Sequence, residues 1–344
     1  MQTELEKTEL SPARILEFGA CGNWGPKVLM TAVELGLFTV LAQGPLDAQE
    51  IRQCLDLHER SVRDFLDSLV ALNFLERNEG IYSNVPETDL FLDRAKPCYL
   101  GDLIEMNNSR LYFLWGSLTE ALRTGQPQNE SKTGGDFFAQ IYADPQRLRC
   151  FVRAMSSLTV GPARVIAQKF PWDQYETVVD IGCAQGAFLV HVARAHSHLR
   201  GIGFDLAALG SIFDKYVERA SLGDRLRFKP GDFFADSLPA GDVLVLGHIL
   251  HDWDLATRRT LLDKCYAAIP PGGALIVYDA LIDDERRRDP LPLLVSLNML
   301  IETPSGSGHT GAECGEWMQD AGFRQVRVEH LLGAHGMVVG IKER

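Results

Sequence analysis

The sequence predicts an α/β protein in two parts: a mostly helical, winged-helix-like region, then a doubly wound parallel sheet that closes with an antiparallel hairpin. Three observations carry this. The first third of the chain places apolar residues at helical spacing between Gly and Pro breaks; after Pro171 short apolar strands alternate with helical stretches; and two strand-like runs finish the chain with no helix between them. A length of 344 residues fits two packed domains. Their border is expected at 135/136, giving a dimerisation-type domain over 1–135 and a ligand-binding domain over 136–344.

From about Ser11 to Leu122 the pattern is helical, with punctuation at Gly25-Pro26, Gly44-Pro45, Pro86 and Pro97. The stretch His58 to Leu72 lines up Val62, Phe65, Leu66, Leu69, Val70 and Leu72 on one face, and the turn-rich Phe74 to Val85 follows it as a hairpin. A DNA-reading helix needs a cationic face, yet Arg60 and Arg63 share this one with Glu59, Asp64 and Asp67, so packing or dimerisation is the favoured reading. Gly125 to Gly135 is a polar loop, and Pro145 to Lys169 is a helix that Pro171 stops. Parallel strands are expected at Thr177 to Ile181, Gly201 to Phe204, just before Gly231-Asp232, at Val243 to Leu246 and at Ala274 to Tyr278. A helix near Ala312 to Ala321 then precedes a hairpin of Gln325 to Leu331 and Gly336 to Ile341.

Composition narrows the function. With 46 acidic and 34 basic residues the formal charge is -12, which repels phosphate backbones and acidic membranes, so neither nucleic acid nor membrane is an expected partner. Seven scattered cysteines without a C-x-x-C pair read as reduced thiols. The polar start and the lack of a run of ~18 apolar residues argue against export or membrane spanning, so a cytoplasmic location is expected.

The chemistry-bearing residues sit at successive strand ends. Val179 to Gly186 reads VDIGCAQG: a strand ending at Asp180, then a turn whose Gly182 and Gly186 let a ligand approach the backbone at a helix start. Asp205 closes the second strand, where a carboxylate can hold a ribose diol. Asp232 and Phe233 follow the third and offer a purine an acceptor and a wall. As isolated residues these acids have turn or helix capping as the lesser alternative; at successive strand ends they describe an adenosine-containing ligand. The turn lacks the G-x-G-x-x-G that a pyrophosphate requires, so a phosphate-free cofactor is favoured over nicotinamide.

The fourth strand runs into Gly247-His248-Ile249-Leu250-His251-Asp252-Trp253-Asp254, and a neutral imidazole there can act as a general base. His251 is the first choice; His248 lines the pocket or packs in the core. Asp252 or Asp254 caps the next helix. Asp279, ending the fifth strand, can accept the other N–H of His251. His248, His251 and Asp252 do not amount to a metal site, because spacing on a strand-to-loop segment does not fix convergence, and no metal is expected.

Taken together, the strings VDIGCAQG, GIGFD, GDFF, LHDWD, the turn at Pro270 to Gly273 and the AGF at Ala321 to Phe323 resemble those of class I S-adenosylmethionine-dependent methyltransferases. The whole chain is similar to the small-molecule O-methyltransferases of plant and bacterial secondary metabolism, which carry a winged-helix-like dimerisation domain ahead of a Rossmann-like catalytic domain. The resemblance implies S-adenosyl-L-methionine as cofactor, S-adenosyl-L-homocysteine as product, a homodimer and a small aromatic acceptor methylated on a phenolic or enolic hydroxyl. It places the cofactor at Asp180, Gly182, Gly186, Asp205, Leu206, Asp232, Phe233, Gly247 and His248. The base falls on His251 beside Asp279, and the acceptor pocket takes in Met155, Thr159, Met299, Glu302 and Thr303.

Two departures stand out. The turn has Cys183-Ala184 where such enzymes often carry glycine, which alanine satisfies with a negative φ. The second carboxylate, usually in a G-x-E-R-T string, falls on Gly308 of Ser307-Gly308-His309-Thr310; Glu313 is expected in a capping box with Thr310, leaving His309 and Glu302 as candidates. Methylation of carbon or nitrogen, a non-methylating use of the cofactor, and a winged-helix transcription regulator are the alternative readings.

Overall fold

The computed structural model describes residues 11–133 and 141–344. The chain divides into two compact units, Met1–Ser109 and Arg110–Arg344. The border expected at 135/136 lies outside the described residues, as does the end of the loop expected over Gly125 to Gly135.

In the first unit, helix Val62–Ala71 leads into a hairpin of β2 (Leu75–Asn78) and β3 (Ile81–Asn84), with the short β1 (Leu46–Asp47) on the other side of β3. Leu66 and Leu69 project from the helix into a core with Leu37, Phe38, Ile51, Leu75 and Tyr82. The outer face is neutralised as its composition requires: Asp67 pairs with Arg63 and Arg77 and accepts a 2.7 Å hydrogen bond from the Tyr82 hydroxyl. Helix Ala48–Cys54 begins in a capping box of Asp47 and Glu50.

The second unit is built on one seven-stranded sheet in the order β6-β5-β4-β7-β8-β10-β9. Strands β4 (Thr177–Ile181), β5 (Arg200–Asp205), β6 (Leu226–Pro230), β7 (Val243–Gly247) and β8 (Ala274–Ala280) are parallel, while β9 (Arg324–Leu332) and β10 (His335–Ile341) pair antiparallel on the β8 edge. The expected strands are all present, each extended by no more than two residues at an end.

Parallel strands covered on both faces read as continuous apolar runs, and alternate residues go to opposite sides. Val243, Val245, Ile276 and Tyr278 face one core layer with Phe188, while Leu244, Leu246, Leu275 and Val277 face the other with Leu261 and Met318. The chain order reverses at β4, which lies between β5 and β7. The carboxyl ends of these strands therefore open a crevice, the ordinary place for a ligand in such a sheet. Among the described residues no helix is long and apolar enough to cross a membrane.

Candidate active site

The turn after β4 is tightly wound. Gly182 has φ +72° and Gly186 φ +86°. A Cβ on Gly182 would come within 2.4 Å of Ile249, and one on Gly186 within 2.5 Å of Phe213. Ala184 corrects the expectation of a negative φ, since it sits at +49°. A left-handed alanine costs about 1–2 kcal/mol, and here its N–H is spent on the Asp205 carboxylate at 2.9 Å. Gln185 donates to the Ser156 hydroxyl at 2.7 Å, which ties helix Pro145–Lys169 to the turn.

Two buried carboxylates lie near this mouth, close enough for Asp205 to act on Asp180. Asp205, 8% exposed, accepts from Ala184 N at 2.9 Å and Leu206 N at 2.8 Å. Burial pushes its pKa up to about 6 despite those bonds. Asp180 is buried too; burial, reinforced by the nearby Asp205, drives its pKa well above the usual carboxylate range. Buried acids without a cation are costly. This pair suits a cationic ligand and opposes a pyrophosphate. Asp232 is held as a turn residue, its carboxylate accepting from Phe234 N at 2.8 Å, and Phe233 packs edge-on to Phe234 with ring centres 4.6 Å apart.

β7 ends at Gly247, where a Cβ would meet the Tyr278 ring at 2.1 Å, and His248 follows with φ +57°. The short turn Leu250–Asp252 then brings His251 over the end of β8. Its Nδ1 lies 2.8 and 2.7 Å from the two carboxylate oxygens of Asp279, and the opposite nitrogen, Nε2, lies 3.6 Å from Asp252. Burial opposes a charge on this ring, but Asp279 and Asp252 outweigh it and lift the His251 pKa to about 9. Asp279 goes the other way: burial would raise it, but His251 and His248 hold it well below the normal range.

Other elements pin this turn. Asp254, not Asp252, caps helix Leu255–Ala268, accepting from Thr257 N at 2.8 Å. Asp252 therefore stays with the histidine. The Arg258 guanidinium, 4% exposed, donates to Leu250 O at 2.8 Å and to Ser307 O at 2.5 Å, and Ser307 N donates to His251 O at 2.8 Å. Sequence reasoning missed Arg258 because an arginine on a helix reads as solvated. A weak clue was its place four residues after the capping aspartate, one helical turn along the same face.

The acceptor-side residues are more committed than expected. Glu302 accepts from Arg110 at 2.7 and 3.0 Å, and Arg110 also holds Glu130. Thr303 donates to Met299 O at 2.8 Å and accepts from Gly306 N at 2.8 Å. Met299 is buried, and Thr159 hydrogen-bonds Tyr278. Thr310 and Glu313 form the expected capping box. His309 is fully buried, and burial lowers its pKa to about 4, so it cannot stand in for a negative charge. Gly308 is closely packed: a Cβ would lie 2.9 Å from the Ile282 side-chain end and 3.0 Å from Ser296 Cβ, so a side chain there requires both neighbours to shift.

His248, His251 and Asp279 bring polar atoms within 4.8 Å of one another, a convergence that spacing alone did not foresee and that recruits Asp279 instead of Asp252. The Asp279 oxygens are engaged by His251 Nδ1 and by Ala280 N, each at 2.8 Å.

Comparison with known proteins shows the family. The O-methyltransferase domain family matches residues 115–324 and the O-methyltransferase dimerisation domain family residues 20–94. The chain is 44% identical over 322 residues to the tetracenomycin polyketide synthesis 8-O-methyl transferase TcmO of Streptomyces glaucescens, covering 93% of this chain and 94% of that one. It is 36% identical to the N,N-dimethyltransferase OxyT of Streptomyces rimosus, covering 92% of each. The crystal structure of human N-acetylserotonin methyltransferase in complex with S-adenosylmethionine superposes with a TM-score of 0.89 at 26% identity, covering 98% of this chain and 99% of the other. The chain belongs to the S-adenosylmethionine-dependent O-methyltransferase family.

Proposed function

We propose that the enzyme methylates a phenolic or enolic hydroxyl of a small aromatic metabolite, with His251 as general base and Asp279 as the carboxylate that orients it. The observation that carries this reading is the contact of His251 Nδ1 with both oxygens of Asp279 at the mouth of β7 and β8. An Nδ1–H donated to Asp279 fixes the tautomer and leaves the Nε2 lone pair for the acceptor's proton. S-adenosyl-L-methionine supplies, when bound, a methyl group already activated on a sulfonium. The acidic pair Asp180 and Asp205 would hold its cationic and ribose portions, and Phe233 would flank its adenine.

Proton affinity decides what Asp279 contributes. A phenol near pKa ~10 lies about 3.5 units above ordinary imidazole, a gap of roughly 5 kcal/mol. With His251 at about 9 the gap would be about one unit, or ~1.4 kcal/mol, and it widens again by as much as bound ligand lowers that affinity. The same lift keeps the ring protonated at neutral pH until a cation bound at the strand mouths draws it down. Asp252, beside Nε2, is our candidate for the second carboxylate that Gly308 cannot provide.

His251→Gln is expected to lower turnover by about 10³-fold or more while S-adenosyl-L-homocysteine affinity by calorimetry stays within about threefold. Turnover near the parent's would remove the base assignment. A nitrogen acceptor is the second reading, favoured by the likeness to OxyT. Product analysis with a labelled methyl group on paired phenols and amines separates the two. The match to a dimerisation domain supports a homodimer, and the likeness to TcmO supports an acceptor of the polyketide kind; a cytoplasmic location belongs to the same reading. Sedimentation reads the first directly.

A further inference from the structure

His248 is unusual in three ways. It is a non-glycine residue in the left-handed region, φ +57°, held there by its N–H to Tyr278 O at 3.1 Å. Its Nδ1 lies 3.5 Å from Asp279 Oδ1, the oxygen that also contacts His251. Its Nε2 is buried with no hydrogen-bond partner among the described residues. A strained backbone that aims a half-satisfied polar ring at the carboxylate orienting a base is a placement that plain packing does not require.

We propose that His248 is a positioning residue that shares the Asp279 carboxylate with His251 and so sets how strongly that carboxylate retains a proton on His251. The proposal rests on the assignment of His251 as base. Whether His248 donates as a neutral imidazole or as an imidazolium, its N–H draws negative charge from Asp279. Either way His251 is held less tightly than it would be by an undivided carboxylate.

The surrounding charged and titratable groups leave His248 in this position alone. Around it stand Tyr278 and Asp279 on β8, His251 on the turn, and His335 on β10, whose ring meets His248 edge-on at 5.3 Å. Burial, aided by His248, lowers the His335 pKa to about 4, so His335 stays neutral. Around His251 the groups are Asp279, Asp252, Arg258 and His248, with His309 beyond; burial keeps His309 neutral in turn. Of the four imidazoles gathered about Asp279, only His251 and His248 lie within ion-pair distance of its oxygens.

The backbone supplies two substitutions that suit a left-handed residue. His248→Gly removes the ring and relieves the strain; His248→Asn tolerates the same φ and keeps an N–H donor near the Nδ1 position. The His251 ring is titrated by NMR in the S-adenosyl-L-homocysteine complex, its signal assigned among the nine histidines by His251→Gln. The glycine variant is expected to move the His251 titration up by about 0.5–1 pH unit, and the asparagine variant to leave it within about 0.3 unit. The acid limb of kcat/KM should follow the same order. Titrations unchanged in both variants, or moved equally in both, overturn the proposal. Loss of the base assignment is a separate result, read from the turnover of His251→Gln, and leaves the NMR comparison intact.

Discussion

Asp279→Asn removes a charge and almost nothing else, because the amide has the shape of the carboxylate. His251 is lifted from 6.5 to about 9, and Asp279 is the main group doing so. That lift corresponds to about 3 kcal/mol of preference for the protonated ring. The amide forfeits most of it, and its NH₂ can donate to Nδ1, which leaves the proton on Nε2 where the acceptor should deliver one. Together the lost affinity and the wrong tautomer predict a fall in kcat/KM of about 10²–10⁴-fold. Stability gives a second readout. The folded-state pKa of His251 lies above its unfolded value, so the stability it contributes is complete below about pH 6.5 and is lost as pH rises through about 9. Urea unfolding of the parent should show that decline, and Asp279→Asn should flatten it. The assay is transfer of labelled methyl to a phenol panel, with S-adenosyl-L-homocysteine calorimetry confirming a folded site. Turnover within about threefold of the parent, with the decline intact, would refute the reasoning.

Three further outcomes follow from individual contacts. Ala184→Gly should raise stability by about 0.5 kcal/mol in thermal unfolding, since relief of the left-handed alanine exceeds the added chain entropy; a loss of more than about 1 kcal/mol would contradict the assigned backbone. Arg110→Ala strands the buried Glu302 and should cost about 3–5 kcal/mol in urea unfolding near neutrality, but less in acid, because burial already raises the Glu302 pKa against the pull of Arg110. Arg258→Lys cannot reproduce the fork joining Leu250 O to Ser307 O, so kcat should drop about tenfold or more with S-adenosyl-L-homocysteine affinity unchanged, and equal losses in both would show a general collapse instead.

The sheet was legible because its strands are apolar runs between helices, and Val243 to Leu246 has no other stable place than the middle of a covered sheet. The pairing of His251 with Asp279 was legible too, since consecutive strands of such a sheet are neighbours. Ala184 was misjudged because its φ is dictated by the Asp205 carboxylate, 21 residues away in sequence. Asp252 and Asp254 were indistinguishable as caps until Thr257 N chose Asp254. Glu302 looked available because its partner, Arg110, lies 192 residues upstream. Partners brought together by adjacent strands were predictable from the sheet's topology; those set by the packing of distant helices and turns were not.

Gly308 carries a consequence for redesign. Helix Pro290–Glu302 packs against it through Ser296, whose hydroxyl takes the Gly308 N–H at 2.9 Å, so an acid introduced there requires Ser296 and Ile282 to give way. If proton handling lies in the stretch from 248 to 252 and the end of β8, as proposed, that helix is free to shape the acceptor wall. Recutting it for a bulkier ring system should change which molecule is methylated without retuning the base.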